Sequence, residues 1–278
     1  MIRSLLLDLT PPIMARALRR FRKRTPAQVI ADCQARYRLY DRFLPVICRH
    51  IPAGWIVDVG ANVGTTAKAM AKECDNPILC IEGYPEYFGQ LLENVKGLPV
   101  RCVRALVGTA QFGGSLVRLG GTAKLVRAAT ESDARPLDAI LQEAEISLLD
   151  IALLKTDTDG CDADVILSAK ETLRGSEPLL FCENAFSDEI EEREFNSAYE
   201  YITKLGYQHF WVFDNFGNLM LSECSYAGVC DLNRYVLSQN RHACTRTIFY
   251  VEVLAATDRH LVNARNAIND YQTNMIEH

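Results

Sequence analysis

Three short segments hold residues whose types and spacing suit chemistry on a bound ligand. The first is Asp58-Val59-Gly60-Ala61-Asn62-Val63-Gly64, entered from the apolar pair Ile56-Val57 and left into a helical stretch. Glycine at 60 permits close approach of backbone to a ligand, which a Cβ would obstruct. Asn62 takes the middle position, where its tolerance of left-handed backbone angles stands in for glycine's. Asp58 sits at a strand end, within reach of a ligand's polar end directly or through water. The second segment is the apolar run 77–82, which closes on Glu82, 22 residues after Gly60. An acid in that position accepts hydrogen bonds from both ribose hydroxyls of an adenosine.

The third segment, Asp157-Thr158-Asp159-Gly160, ends the apolar run 151–156. Ligands of doubly wound sheets sit beyond the carboxyl ends of strands, so Asp157 is expected in the same crevice as Gly60. There it either binds an amino group of the cofactor or orients and deprotonates an acceptor hydroxyl. A free carboxylate is too weak a base to strip a hydroxyl outright, so concerted transfer or a metal would help. Asp159 either joins this catalytic set or, with Asp162, opens the next helix, whose dipole favours an acid.

The following run ends in Glu183-Asn184. Glu183 is a third catalytic candidate. Asp157, Glu183 and Asn184 could also hold a hard cation such as Mg²⁺, an arrangement that resembles catechol-type O-methyltransferases. The reading preferred over a metal has Glu183 ordering its loop and Asn184 capping a turn. His209 and His242 are candidate general bases, because imidazole titrates near neutrality. Tyr207, Phe210, Trp211, Phe213 and Phe216 could stack on a sugar ring, with alternation along a strand sending half of them into the core.

These residues need a scaffold, and from residue 55 strands alternate with helices, as in a parallel doubly wound sheet with helices on both faces. Strands are predicted at 56–59, 77–82, 100–106, 151–156, 179–183, 208–213 and 247–254, the last two closing a mostly parallel, seven-stranded sheet as a hairpin. Helices are predicted at 65–73, 85–95, 136–143, 163–173, 197–205 and 258–271. Residues 111–126, with two glycine pairs, read as a small β excursion. Ahead of all this come a Pro11-Pro12 break, an amphipathic helix from Ile13, and a helix over 26–42 with Thr25 as N-cap and Pro26 at its first position. The expected division is a basic helical extension, 1–50, and a catalytic domain, 51–278.

The glycine loop also discriminates between cofactors. A nicotinamide enzyme would carry G-x-G-x-x-G to seat a pyrophosphate on the helix N-terminus. Here the pattern is G-x-x-x-G, with no glycine three residues after Gly64. S-adenosylmethionine has no pyrophosphate and suits the loop better. D-V-G-A-N-V-G, then I-E-G, then L-L-K-T-D-T-D-G-C-D resembles the FkbM family of methyltransferases, which commonly read D-V-G-A-N-x-G, F-E-P and K-I-D-V-E-G. The resemblance spans about residues 55–183. Gly83-Tyr84 departs from its usual proline, and Asp159 stands where glutamate is common. It implies a Rossmann-like α/β class I methyltransferase fold and methyl transfer to hydroxyls of sugars and natural products. The expected cofactor contacts are Asp58, Gly60, Ala61, Asn62, Gly64, Glu82, Gly83 and Asp157.

Charge is unevenly spread. Residues 1–50 carry 11 Lys/Arg and 3 Asp/Glu, leaving 19 basic and 32 acidic residues over 51–278. A basic head on an acidic body suggests an anionic partner for the head, and residues 1–24 could lie on an anionic membrane. No apolar run approaches the roughly 20 residues of a membrane span, and none fits a signal peptide. Ten cysteines without framework spacing point to a reducing, cytoplasmic setting, with peripheral contact at the inner membrane face as an option. The favoured expectation is an O-methyltransferase acting on a saccharide hydroxyl, including a lipid-linked glycan, or a related metabolite. The alternatives are an RNA methyltransferase, against which the acidic body argues, so that no nucleic-acid partner is expected, and an inactive Rossmann-like binding module.

Overall fold

Strands covered on both faces require nearly continuous apolar sequence, and the central strands here supply it. The structure is a computed structural model that describes residues 39–109, 113–119, 122–128, 133–242 and 250–276. The helix expected from Ile13, the stretch 1–24, and the helix over 26–42 as far as residue 38 lie outside the described residues.

From Leu39 onward the chain forms one unit. It opens with α1 (Leu39–Cys48), β1 (Trp55–Val59), α2 (Thr65–Met70), β2 (Ile78–Glu82), α3 (Pro85–Asn94) and β3 (Val100–Arg104). A separate two-stranded antiparallel ribbon follows, β4 (Gly113–Leu119) with β5 (Thr122–Ala128), where the β excursion was expected. Next come α4 (Leu137–Glu143), β6 (Ile151–Thr156), α5 (Asp162–Ser168), α6 (Lys170–Gly175), β7 (Leu179–Asn184) and α7 (Glu189–Lys204). The chain continues with β8 (His209–Asp214), β9 (Leu219–Cys224), α8 (Tyr226–His242), β10 (Val251–Ala256), a 3-10 turn (Asp258–His260) and α9 (Leu261–Ile276).

The main sheet has eight strands in the order β3-β2-β1-β6-β7-β10-β8-β9. β3, β2, β1, β6 and β7 are parallel, β10 runs antiparallel to both β7 and β8, and β9 runs antiparallel to β8. The sheet is therefore mixed and one strand wider than the seven-stranded expectation. The closing hairpin is β8–β9, with β10 inserted between β7 and β8. Its cause is the turn 214–218. The Asp214 carboxylate accepts the N–H groups of Phe216 and Asn218, each at 2.9 Å, and Gly217 takes φ 84°. β9 escaped prediction because it is an edge strand whose apolar run, Leu219-Met220-Leu221, is short and only half-buried.

Helices cover both faces. Alternation along β1 sends Val57 toward the core shared with α4, α5, α7 and α8, and Ile56 toward the core shared with α1, α2, α3 and α9. α7 starts at Glu189 rather than 197 because Asp188 caps it, accepting N–H from Ile190 (2.8 Å) and Glu191 (3.0 Å). The single helix expected over 163–173 is broken at Ala169 into α5 and α6. Among the described residues, no helix is long and apolar enough to cross a membrane. The strand order turns at β1 and β6, where such sheets form a crevice.

Candidate functional site

An open cleft lies at the carboxyl ends of β1, β2 and β6. Gly60, Asn62, Glu82, Gly83, Asp157 and Asp159 line it, and Ile81, Tyr87, Leu106 and Val107 supply an apolar wall. The bend after β1 is held by N–H groups of Gly60 and Ala61, which donate to Ile81 O at 2.9 and 3.1 Å. Gly60 has φ 76°, and a Cβ there would come within 1.9 Å of Asp157 O. The close approach that demands glycine is thus first to the chain's own β6 loop, and only then to anything in the cleft. Asn62 takes the left-handed conformation expected of it, at φ 49°. At Gly64 (φ 82°) a Cβ would meet Leu91 Cδ1 at 2.6 Å, so this glycine lets α3 pack close. Ala61 is buried beneath the bend.

Glu82 ties the loop to β2. Its Oε2 accepts the Asn62 N–H at 2.8 Å and its Oε1 the Tyr84 N–H at 2.7 Å, while the side chain still borders the cleft. Burial raises its pKa above the ordinary carboxylate value, against the two amides and Lys155, which lower it.

Asp58 does not face the cleft. It is fully buried and pairs with Lys155, Nζ to Oδ1 2.8 Å, directly across the β1–β6 register. Lys155 Nζ also lies 3.5 Å from Asp157 Oδ2 and 3.4 Å from Gly60 O. Burial by itself would lower the lysine's pKa. The Asp58 and Asp157 carboxylates outweigh it and hold the ammonium above its usual value. Sequence reasoning passed over Lys155, although one cation inside the apolar strand Ile151–Thr156 signals a buried partner.

Asp157 is a quarter exposed and faces the cleft, its N–H donating to Val59 O at 3.1 Å. The loop behind it is shaped by Asp162, which is fully buried. That carboxylate accepts Thr156 Oγ1 (2.5 Å) and the N–H groups of Thr158 (3.1 Å) and Gly160 (3.4 Å). Burial pushes Asp162 up to about 7, against the Thr156 hydroxyl bond. Asp159 lines the cleft in a left-handed conformation, φ 54°, outside α5.

Other candidates do not converge here. Glu183 and Asn184 are consecutive in β7 and point to opposite faces. Asn184 Nδ2 donates to Asn233 Oδ1 at 2.7 Å among α7 and α8, whereas Glu183 lies on the side of Glu252. Asp157, Glu183 and Asn184 therefore do not form one cation site, and no cluster of three His, Cys, Asp or Glu fit for a metal occurs among the described residues. His209 is at the wrong end of the sheet. β8 runs the same way as β7, so its first residue pairs with Ala256, while the site end is marked by Asp214, Val251 and Asn184. There the His209 ring contacts Asp258 Oδ1 at 2.8 Å and Glu223 Oε1 at 3.4 Å. Phe210, Trp211 and Phe213 are buried in the core because β8 is covered on both faces, Tyr207 is buried just ahead of β8 with its hydroxyl donating to Pro178 O at 2.8 Å, and Phe216 is partly exposed. His242 is the last residue of α8.

A family model for the methyltransferase FkbM domain matches residues 58–209. No curated protein matches the chain. Solved structures that resemble it include methyltransferase FkbM from Methylobacillus flagellatus KT, 14% identical with TM-score 0.35, over 73% of this chain and 43% of that one. An O-methyltransferase from Bacillus cereus in complex with SAH is 10% identical with TM-score 0.46, over 92% and 97%. Aeropyrum pernix fibrillarin with natively bound S-adenosyl-L-methionine is 12% identical with TM-score 0.41, over 74% and 68%. The chain thus spans less than half the length of the Methylobacillus protein. The matched span exceeds half of the 278 residues and runs from the buried Asp58 through Glu82, Lys155 and Asp157: the chain belongs to the FkbM methyltransferase family.

Proposed function

We propose that the cleft binds S-adenosylmethionine and that the protein transfers its methyl group to a hydroxyl of a saccharide or related metabolite. The observation that carries this reading is Glu82. Each of its oxygens takes one backbone N–H, which fixes the carboxylate at the cleft wall and leaves lone pairs for donors such as ribose hydroxyls. The apolar wall of Ile81, Tyr87, Leu106 and Val107 suits a purine. Asp157, held by Lys155, receives the cofactor's amino group and orients the acceptor. When bound, S-adenosylmethionine supplies a methyl carbon made electrophilic by the sulfonium. What the chain adds is positioning and exclusion of water.

The lining supports a hydroxylated acceptor. Asp157 and Asp159 are hydrogen-bond acceptors, which favour a hydroxylated acceptor over an anionic one. From their excess of Arg and Lys, residues 1–24 are proposed to contact an anionic membrane surface at its cytoplasmic side, with a lipid-linked glycan as one acceptor. Calorimetric titration with S-adenosylhomocysteine should give saturable binding, and labelled methyl transfer should reach saccharides and not RNA. Absence of binding heat would sink the cofactor reading, and methylation of RNA alone would sink the acceptor. Unchanged membrane co-sedimentation after deletion of residues 1–24 would remove the membrane contact.

A further inference from the structure

A second groove, open to solvent, runs between α5, the start of α6 and α7. It holds about 480 Å³, within the roughly 300–1,000 Å³ of small-ligand sites. One wall separates it from the cleft. Val107 and Cys161 face the cleft, while Thr109 and Ala163, each two residues further on, face the groove. That wall is held together by the Asp164 carboxylate, which accepts the Thr109 N–H at 2.9 Å and the Thr109 hydroxyl as well. Leu167 and the rim residue Ile190, 65% exposed, give the groove apolar surface.

The acids of the groove are already engaged, and its donors are not. Asp164 is taken up by Thr109, and Glu194 has a partner of its own. Lys170, the first residue of α6, and Arg193, one turn into α7, pair with no carboxylate among the described residues. Arg193 donates only its Nε, to Glu189 O at 3.1 Å, and Glu171 beside Lys170 pairs instead with Arg174 at 2.9 Å. The Tyr201 hydroxyl is shut off from solvent and has no hydrogen-bond partner among the described residues. An unpaired buried hydroxyl destabilises a fold, and phenylalanine would fill the position without that penalty. Two cations and one hydroxyl therefore stand unanswered over an apolar floor.

We infer that this groove seats the acidic end of an oligosaccharide acceptor, its carboxylate or phosphate ester held by Lys170 and Arg193 while the reacting hydroxyl lies at Asp157. This rests on reading the cleft as the S-adenosylmethionine site. Charge sorts the two ends of the acceptor. Asp157 and Asp159 repel an anion from the cleft, and the unpaired cations of the groove attract one. The Arg193 guanidinium presents a fork matched to a carboxylate or phosphate, and Lys170 adds a point charge. Tyr201 donates its hydroxyl to a sugar oxygen, and Leu167 and Ile190 take the apolar C–H face of a ring. At 1.5 Å per residue, Leu167 lies about 8 Å along α5 from Asp162, where the cleft loop ends. That span exceeds one sugar ring, so the acceptor has more than one.

The test uses the whole protein and three probes of equal length: maltotriose, trigalacturonate and phosphorylated maltotriose. The last two distinguish a carboxylate from a phosphate ester. By calorimetry, at least one acidic probe should bind about tenfold more tightly than maltotriose, with a preference that shrinks as salt is raised. Lys170→Met and Arg193→Met, both at exposed positions, should each lower that preference about threefold and together abolish it. Tyr201→Phe should weaken binding of the acidic probe without lowering the unfolding midpoint. Equal binding of all three probes overturns the proposal, as does a preference that survives Lys170→Met/Arg193→Met. S-adenosylhomocysteine should bind every variant with unchanged affinity. If it binds neither the variants nor the unmodified protein, the S-adenosylmethionine reading falls, while the groove stands or falls by the saccharide preference alone.

Discussion

Replacing Lys155 with methionine isolates the ion pair at the centre of the sheet. Its Nζ lies 2.8 Å from Asp58 Oδ1, with the lysine 1% and the aspartate 0% exposed. At an effective dielectric of about 20 that contact contributes roughly 6 kcal/mol of attraction. Asp157, farther away and partly in water, contributes less. Much of the attraction offsets the cost of withdrawing both charges from solvent, so it does not measure what the substitution would cost. Methionine nearly matches the lysine stem, and the main consequence is a bare Asp58 carboxylate inside the sheet. Removing one partner of such a pair costs about 3–5 kcal/mol. At about 2–4 °C per kcal/mol for a unit of this size, the unfolding midpoint should fall by roughly 6–20 °C. Urea titration and scanning calorimetry read the two quantities. The double variant Asp58→Asn/Lys155→Met removes both charges and should recover more than half of the loss. A single variant within about 1 kcal/mol of the unmodified protein would refute the argument, as would a double variant no more stable than the single one.

Two further outcomes follow from the site. Glu82→Ala frees the N–H groups of Asn62 and Tyr84 and removes the ribose acceptor, so affinity for S-adenosylhomocysteine should fall about 100-fold by calorimetry; a loss under about threefold contradicts the role of Glu82. Asp162 titrates at about 7 in the folded chain and at about 3.9 when unfolded. Its contribution to stability is therefore complete below about pH 4 and is lost as pH rises toward 7. Urea midpoints measured across that window should fall less steeply for Asp162→Asn, with a remaining slope of the same sign from Glu183; equal slopes would exclude the assignment.

The chemistry-bearing loop was legible before any coordinates. Asp58 to Gly64 joins an apolar run to a helix, and local backbone rules place a glycine bend between such elements. Glu82 and Asp157 could be placed for the same reason, because parallel strands present their carboxyl ends to one crevice. Side-chain direction and partner choice depend on register, which no local pattern contains. Only the β1–β6 pairing reveals that Asp58 meets Lys155 in the interior. Only the β7–β10 pairing brings Glu252 to Glu183, and only strand alternation turns Asn184 away from both. His209 failed because a residue's end of the sheet depends on the direction of its strand, which β10 and the turn 214–218 decide. The sequence by itself determined where the chain bends and which strand ends carry acids, since those are short-range steric and hydrophobic constraints. Which acids meet each other, and which meet the cleft, was decided by contacts between segments roughly 70–100 residues apart, through the long-range strand pairing that tertiary structure alone supplies.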